Sequence, residues 1–136
     1  DNIRPSMGAV LIETAQNRMV GTPALEKNLD DTPRECVLTF DNFCFANGAE
    51  NTVSPMVVYV LREGTLIKVY EYELTASYKS WVSSQDYSVD YNFQQKSVDL
   101  SLKKGDAVLI STAPYLEGYN SYPTNVMIDN VKITTK

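Results

Sequence analysis

The sequence predicts an all-β domain built from short antiparallel strands, a sandwich or a barrel. Three observations carry this. Runs rich in β-branched and aromatic residues recur along the chain between clusters of Gly, Pro, Asn and Ser. No segment of about twelve residues or more shows the 3.6-residue apolar period of an amphipathic helix, so helix should be scarce. With 136 residues, 43% hydrophobic and 21% charged, the chain matches one ordinary domain that can bury a core without metal or disulfide staples.

In chain order the expected strands are Ala9–Thr14, Cys36–Phe45, Met56–Leu61, Thr65–Leu74, Ser97–Leu102, Ala107–Thr112 and Asn125–Thr134. Seven such strands point to a sandwich or barrel. Arg62-Glu63-Gly64 reads as one hairpin turn and Lys103-Lys104-Gly105-Asp106 as another, each fixing two antiparallel neighbours. Phe40, Phe43, Phe45, Val58, Val60, Leu66, Ile67, Val108 and Ile110 are expected in the core. Residues 1–7 read as a linker or frayed end, and 8–136 as a single domain.

Cys36 and Cys44 lie eight positions apart within one expected strand. A straight strand separates them by roughly 26 Å, beyond disulfide reach, so two buried free thiols are expected.

Charge and residue usage exclude several classes of function. Seventeen acidic against twelve basic residues give a net charge of -5, and apart from Lys103-Lys104 the cations are scattered, which disfavours nucleic acid as a partner. No apolar run reaches the ~20 residues of a membrane span. There is no histidine, which removes histidine general bases, Ser-His-Asp and Cys-His nucleophile activation, and most zinc sites. A glycosidase-type carboxylate pair would remain, but no spacing fixes two acids across a cleft. A non-enzymatic role is expected.

The segments Gly8-Ala9-Val10-Leu11-Ile12-Glu13, Gly21-Thr22-Pro23-Ala24-Leu25, Cys36-Val37-Leu38-Thr39-Phe40, Met56-Val57-Val58-Tyr59-Val60 and Val126-Met127-Ile128-Asp129-Asn130-Val131-Lys132-Ile133 form an ordered series. The series resembles the jelly-roll pattern shared by MAM adhesion domains, several carbohydrate-binding modules and related domains of secreted or surface-anchored bacterial proteins. The resemblance covers most of the chain from Gly8 onward. Its weight lies in order and spacing, and the Ile-Asp-Asn-Val core of the last segment is its most specific part. The four-cysteine pattern of animal MAM domains and any Asn-x-Ser/Thr site are missing, which favours the bacterial version.

The resemblance implies an antiparallel jelly-roll-type β-sandwich, galactose-binding-like or concanavalin-like. It also implies an extracellular or cell-surface setting within a larger protein, with lipid anchoring through a leader outside this stretch as one route. The family's opening strand stands twenty or more residues before the Gly8 segment. Only seven residues precede Gly8 here, so that strand is either outside this stretch or the fold closes differently.

Two candidate sites emerge. Alternation along the last segment places Met127, Asp129, Val131 and Ile133 on one face, which aims Asp129 inward. In the resembled family this aspartate often helps to hold a structural calcium ion, and Glu13 on an early strand is the natural partner. The other reading has Asp129 accepting backbone N–H bonds in a β-bulge or standing at an exposed strand end, with Glu13 facing solvent. The second site is aromatic. Trp81, Tyr115, Tyr119 and Tyr122 offer flat rings for stacking against a sugar, and Asn120, Asn125 and Gln85 could bond its hydroxyls. The same aromatics would serve equally well to cap the ends of a core. The expected function is a non-catalytic recognition module for glycans, and the alternative is an adhesive or structural module that contacts proteins.

Overall fold

The computed structural model describes residues 3–4, 9–13, 19–46, 53–76, 93–112 and 124–136. These form nine strands: β1 (Ile3–Arg4), β2 (Ala9–Glu13), β3 (Met19–Gly21), β4 (Arg34–Ala46), β5 (Val53–Arg62), β6 (Thr65–Thr75), β7 (Gln94–Leu102), β8 (Ala107–Thr112) and β9 (Thr124–Thr135). No helix occurs among the described residues. Two antiparallel sheets result, ordered β1-β2-β9-β4-β7 and β3-β8-β5-β6. The all-β sandwich expected from the sequence is what forms. Within the 1–7 stretch, Ile3 and Arg4 pair with Val10 and Ala9.

The core fills the space between the sheets by strand alternation. Cys36, Leu38, Phe40 and Cys44 of β4 meet Met56, Val58 and Val60 of β5, with Val98, Leu100 and Leu102 from β7 and Val108 and Ile110 from β8. Six of the nine expected core residues are buried there or on an outer sheet face: Phe40, Phe43, Val58, Val60, Val108 and Ile110. The Phe45 side chain lies outside the described residues. Leu66 and Ile67 depart from expectation, at 45% and 38% exposed. They sit on β6, which has no strand beyond it among the described residues, so apolar character alone does not bury them. Both cysteines are free and buried, as expected. Burial pushes the Cys44 thiol up to about 12 and also raises that of Cys36, against the opposing pull of Arg34. Burial thus disfavours the thiolate form at both positions.

The two expected hairpins turn out differently. Glu63 and Gly64 close a true β5–β6 hairpin, and both have positive φ (51° and 79°), as a type I′ turn requires. The stretch Lys103–Asp106 does not join paired strands: β7 pairs with β4, and β8 pairs with β3 and β5. The chain crosses there from one sheet to the other. The reason is visible in its hydrogen bonds, which run to the 22–33 segment instead of across a ladder. Lys104 N–H donates to the Asp30 carbonyl (2.8 Å), Gly105 N–H to that of Leu25 (2.7 Å), and Leu25 N–H to that of Asp106 (2.8 Å).

Asp106 locks this crossing. Its carboxylate, 2% exposed, receives Arg62 Nε (3.0 Å), Arg62 Nη2 (2.7 Å) and the Lys103 N–H (2.8 Å). Arg62 Nη2 also reaches the Ser101 carbonyl (3.2 Å), so one guanidinium at the end of β5 holds both β7 and the crossing. Burial alone would raise the carboxyl's pKa; the Arg62 hydrogen bonds, the Lys103 N–H and the nearby positive charges outweigh it and hold the group below its ordinary value. Asp106→Asn is expected to cost about 2–3 kcal/mol in urea unfolding, less than a fully buried pair because Arg62 stays partly in water. Because the folded pKa is depressed, this stability is present above the ordinary carboxylate range and is lost as pH falls through the folded value. The variant should therefore lose less stability than the parent between neutral and acid pH.

Candidate functional site

The β4–β9 ladder contains an irregularity that decides where Asp129 points. Thr39 pairs with Lys132 but Asp41 pairs with Asp129, so Asn130 and Val131 together oppose Phe40. Asn130 takes the left-handed conformation (φ 54°) that asparagine tolerates better than most residues. The bulge shifts the alternation of β9. Before it, Val126 and Ile128 face the inter-sheet core; after it, Ile133 does. Asp129, adjacent to Ile128, therefore lies on the outer face of the five-stranded sheet and is only partly buried. This corrects its expected inward orientation. Its Oδ1 accepts the Asn130 N–H (2.8 Å), and Asn130 Nδ2 donates to Asp41 Oδ2 (2.7 Å). The bulge reading of Asp129 is the one that these bonds match.

Glu13 is opposite Asn125, four positions along β9 from Asp129, which amounts to ~13 Å of strand. The register does not bring the two acids together; the acid directly across from Asp129 is Asp41. Among the described residues there is no group of three or more acid, cysteine or histidine side chains that could hold a metal. Calcium needs six to eight oxygens, so Glu13 and Asp129 do not by themselves fit it.

Trp81, Gln85, Tyr115, Tyr119, Asn120 and Tyr122 lie outside the described residues, and of Asn125 only the backbone is described, paired with Glu13 and Phe45. The strands nevertheless define where the segments carrying them are tethered. β2 ends and β3 begins, β4 ends and β5 begins, β6 ends and β7 begins, and β8 ends and β9 begins at the same end of the sandwich. The pairings Thr75 with Val53, Thr112 with Met56, Asn42 with Gln94 and Ala46 with Thr124 establish this. The strand ends that flank 77–92 and 113–123 all lie at this end, and the Asp106 crossing occupies the other.

Next to the tethers of 77–92 is a polar and aromatic cluster that the sequence reading missed. Asn42, 2% exposed, faces inward from β4; its Nδ2 donates to the Gln94 carbonyl (2.7 Å), and its Oδ1 accepts the Tyr72 hydroxyl (2.8 Å). Tyr72 packs against Phe40 and Tyr70, with ring centroids 6.4 and 5.8 Å away. Lys96 Nζ stands 5.0 Å from the Tyr70 ring centre and 4.7 Å from that of Tyr72. Burial, then the neighbouring Tyr70 and Cys44, raise the Tyr72 hydroxyl above its ordinary pKa, so it remains a donor. The cluster spans β4, β6 and β7, whose members are 30 and 52 positions apart in sequence, and no local pattern announces it.

At the opposite end a cleft of ≈500 Å³ lies beneath residues 24–29, with Leu25, Leu29, Cys36 and Ile133 among its lining and Glu26 as its single carboxylate. It contains no aromatic ring and no acid pair, so it offers neither a stacking platform nor the two-carboxylate arrangement of a glycosidase.

No protein-family model matches the chain, and no curated protein does. Several solved structures are similar in shape. A CBM35 carbohydrate-binding module from Paenibacillus barcinonensis superposes with TM-score 0.47 at 14% identity, covering 87% of this chain and 70% of that one. The K3 adhesin domain of Lys-gingipain from Porphyromonas gingivalis gives 0.49 at 16%, covering 85% and 63%. A CBM4 module gives 0.48 at 9%, covering 94% and 82%. None of the three is a MAM domain. All scores are below 0.5, so these likenesses carry no inference about ligand or activity.

The cluster makes one expectation testable. Tyr72→Phe keeps the ring and leaves the buried Asn42 Oδ1 without its donor, at a cost of about 1–3 kcal/mol in chemical unfolding. Combined with Asn42→Ala in a double-mutant cycle, it should show a coupling of about 1 kcal/mol.

Proposed function

We propose that the chain is a non-catalytic recognition module that binds glycans outside the cell, through Trp81, Tyr115, Tyr119, Tyr122 and Asn120. The observation that supports it most is topological. Every sheet-to-sheet connection other than the 22–33 and Lys103–Asp106 crossings is tethered at one end of the sandwich. The segments tethered there hold seven of the chain's ten Trp and Tyr residues: Tyr78, Trp81, Tyr87, Tyr91, Tyr115, Tyr119 and Tyr122. Aromatic faces and amide side chains carried on the same segments suit the alternating apolar and hydroxyl surface of a sugar ring. The strands supply a rigid base, and the crossing segments supply the chemistry. The missing histidines support the non-catalytic part of the reading.

A second reading, adhesion to a protein surface, draws on a different observation: β6 is an eleven-residue sheet edge that exposes Leu66, Ile67 and Val69.

A glycan array with the purified chain tests the first reading. Binding to at least one glycan class is expected, with tenfold or greater loss in Trp81→Ala and Tyr119→Ala at unchanged melting temperature. No binding to any glycan, or full binding by both variants, would overturn it. A structural calcium ion is a separate proposal that rests on the family resemblance. It predicts a lower melting temperature in EDTA than in excess calcium, and identical melting curves would remove it.

A further inference from the structure

Among the described residues four strands form the edges of the two sheets, and three of them are either very short or polar in their exposed residues. β1 and β3 are only two and three residues long. β7 is long, but its exposed residues are Gln94, Gln95, Ser97, Asp99 and Ser101, all polar. β6 differs. It runs for eleven residues and carries three of the four large hydrophobic residues that stand exposed among the described ones: Leu66, Ile67 and Val69. A long edge with open backbone donors and acceptors and an apolar surface is a template for another strand.

The charges on β6 identify which strand. Val58 pairs with Tyr70 but Tyr59 pairs with Lys68, so Val69 is an extra residue in a bulge. The bulge places Lys68, opposite Tyr59, and Glu71, opposite Val57, on the same outer face, where they form a 3.0 Å ion pair while remaining 40% and 61% exposed. Residues three apart on a regular strand would point to opposite faces.

We infer that β6 is the contact surface for a second copy of this chain, pairing antiparallel with that copy's β6 about a twofold axis between Val69 and Tyr70. In this register Lys68 stands opposite the second copy's Glu71, and Glu71 opposite its Lys68, all on the outer face. Ile67 and Tyr72, which both face the core side opposite Val60 and Met56, stand opposite each other's counterparts. The strand is thus complementary to itself in charge and in face, as an isologous contact requires. The result is one continuous eight-stranded sheet across two copies. The inference gives the adhesion reading a specific partner, and it stands apart from glycan binding.

Sedimentation equilibrium over a concentration series tests it. The parent chain should pass from monomer to dimer mass. Lys68→Glu and Glu71→Lys should each stay monomeric, because each places like charges across the axis. Mixed one to one, the two variants should regain dimer mass, since every cross-axis pair is again opposite in sign. Val69→Lys, at an exposed position whose change leaves the core untouched, should also abolish the dimer while melting like the parent. A parent chain that remains monomeric up to about 1 mM overturns the self-pairing and leaves adhesion to a different protein standing. Dimers of either charge variant alone, failure of the mixture to recover, or a Val69→Lys dimer likewise overturn it.

Discussion

A carboxylate removed from water must be surrounded by donors, and the way Asp106 meets that requirement sets the end of the sandwich from which the rest is hung. Arg62 and the Lys103 N–H close around it, and the neighbouring backbone groups engage the 22–33 segment. One ionic group thereby joins β5 of one sheet to the β7–β8 crossing that leaves the other. Without it, β7 and β8 would keep their separate ladders but lose an ionic fastening between the sheets at that end, leaving the backbone bonds of the 22–33 segment there and the Tyr72–Asn42 hydrogen bond at the far end. The core between them, dense with Leu38, Phe40, Met56 and Ile110, is fully enclosed only when the sheets are so fastened.

Two bulges then modify an otherwise regular alternation, with unlike consequences. On β9 the extra residue turns Asp129 outward toward Asp41, freeing the core of a charge it could not have satisfied. On β6 the extra residue Val69 brings Lys68 and Glu71 to one face of an open edge. In both cases a single inserted position reassigns the side chains beyond it, a stronger effect than any substitution at the same place would have.

Much of the fold was legible because it depends on local pattern. Seven strands, the Glu63-Gly64 turn and the two free thiols follow from alternation, turn chemistry and reach, and they recur in the structure within a few residues. What was not legible depends on partners. Gly105, at φ 91°, would suit a hairpin or a sheet crossing equally, and only the 22–33 segment decides between them. β3 is three residues long and carries no period of its own. Leu66 and Ile67 look like core because the sequence does not say which strand ends a sheet. The orientation of Asp129 has a local clue in Asn130, a residue suited to positive φ, but simple alternation along β9 points the other way. The Asn42, Tyr72 and Gln94 network joins distant strands and could not be seen in advance. The proposed aromatic residues rest on their chemistry, and the strands add where their segments are fastened.

The separation of the two ends has a consequence for how such a chain diversifies. Changes of length near Asp106 would disrupt hydrogen bonds that several strands share, so that end is expected to resist insertion. Among the described residues no such shared backbone network fastens the strand ends at the far end, where changes of segment length carry only the slowly growing entropic cost of loop closure. New specificity can therefore arise by loop replacement on an unchanged frame, with selection for stability and selection for ligand acting on different poles of the same molecule.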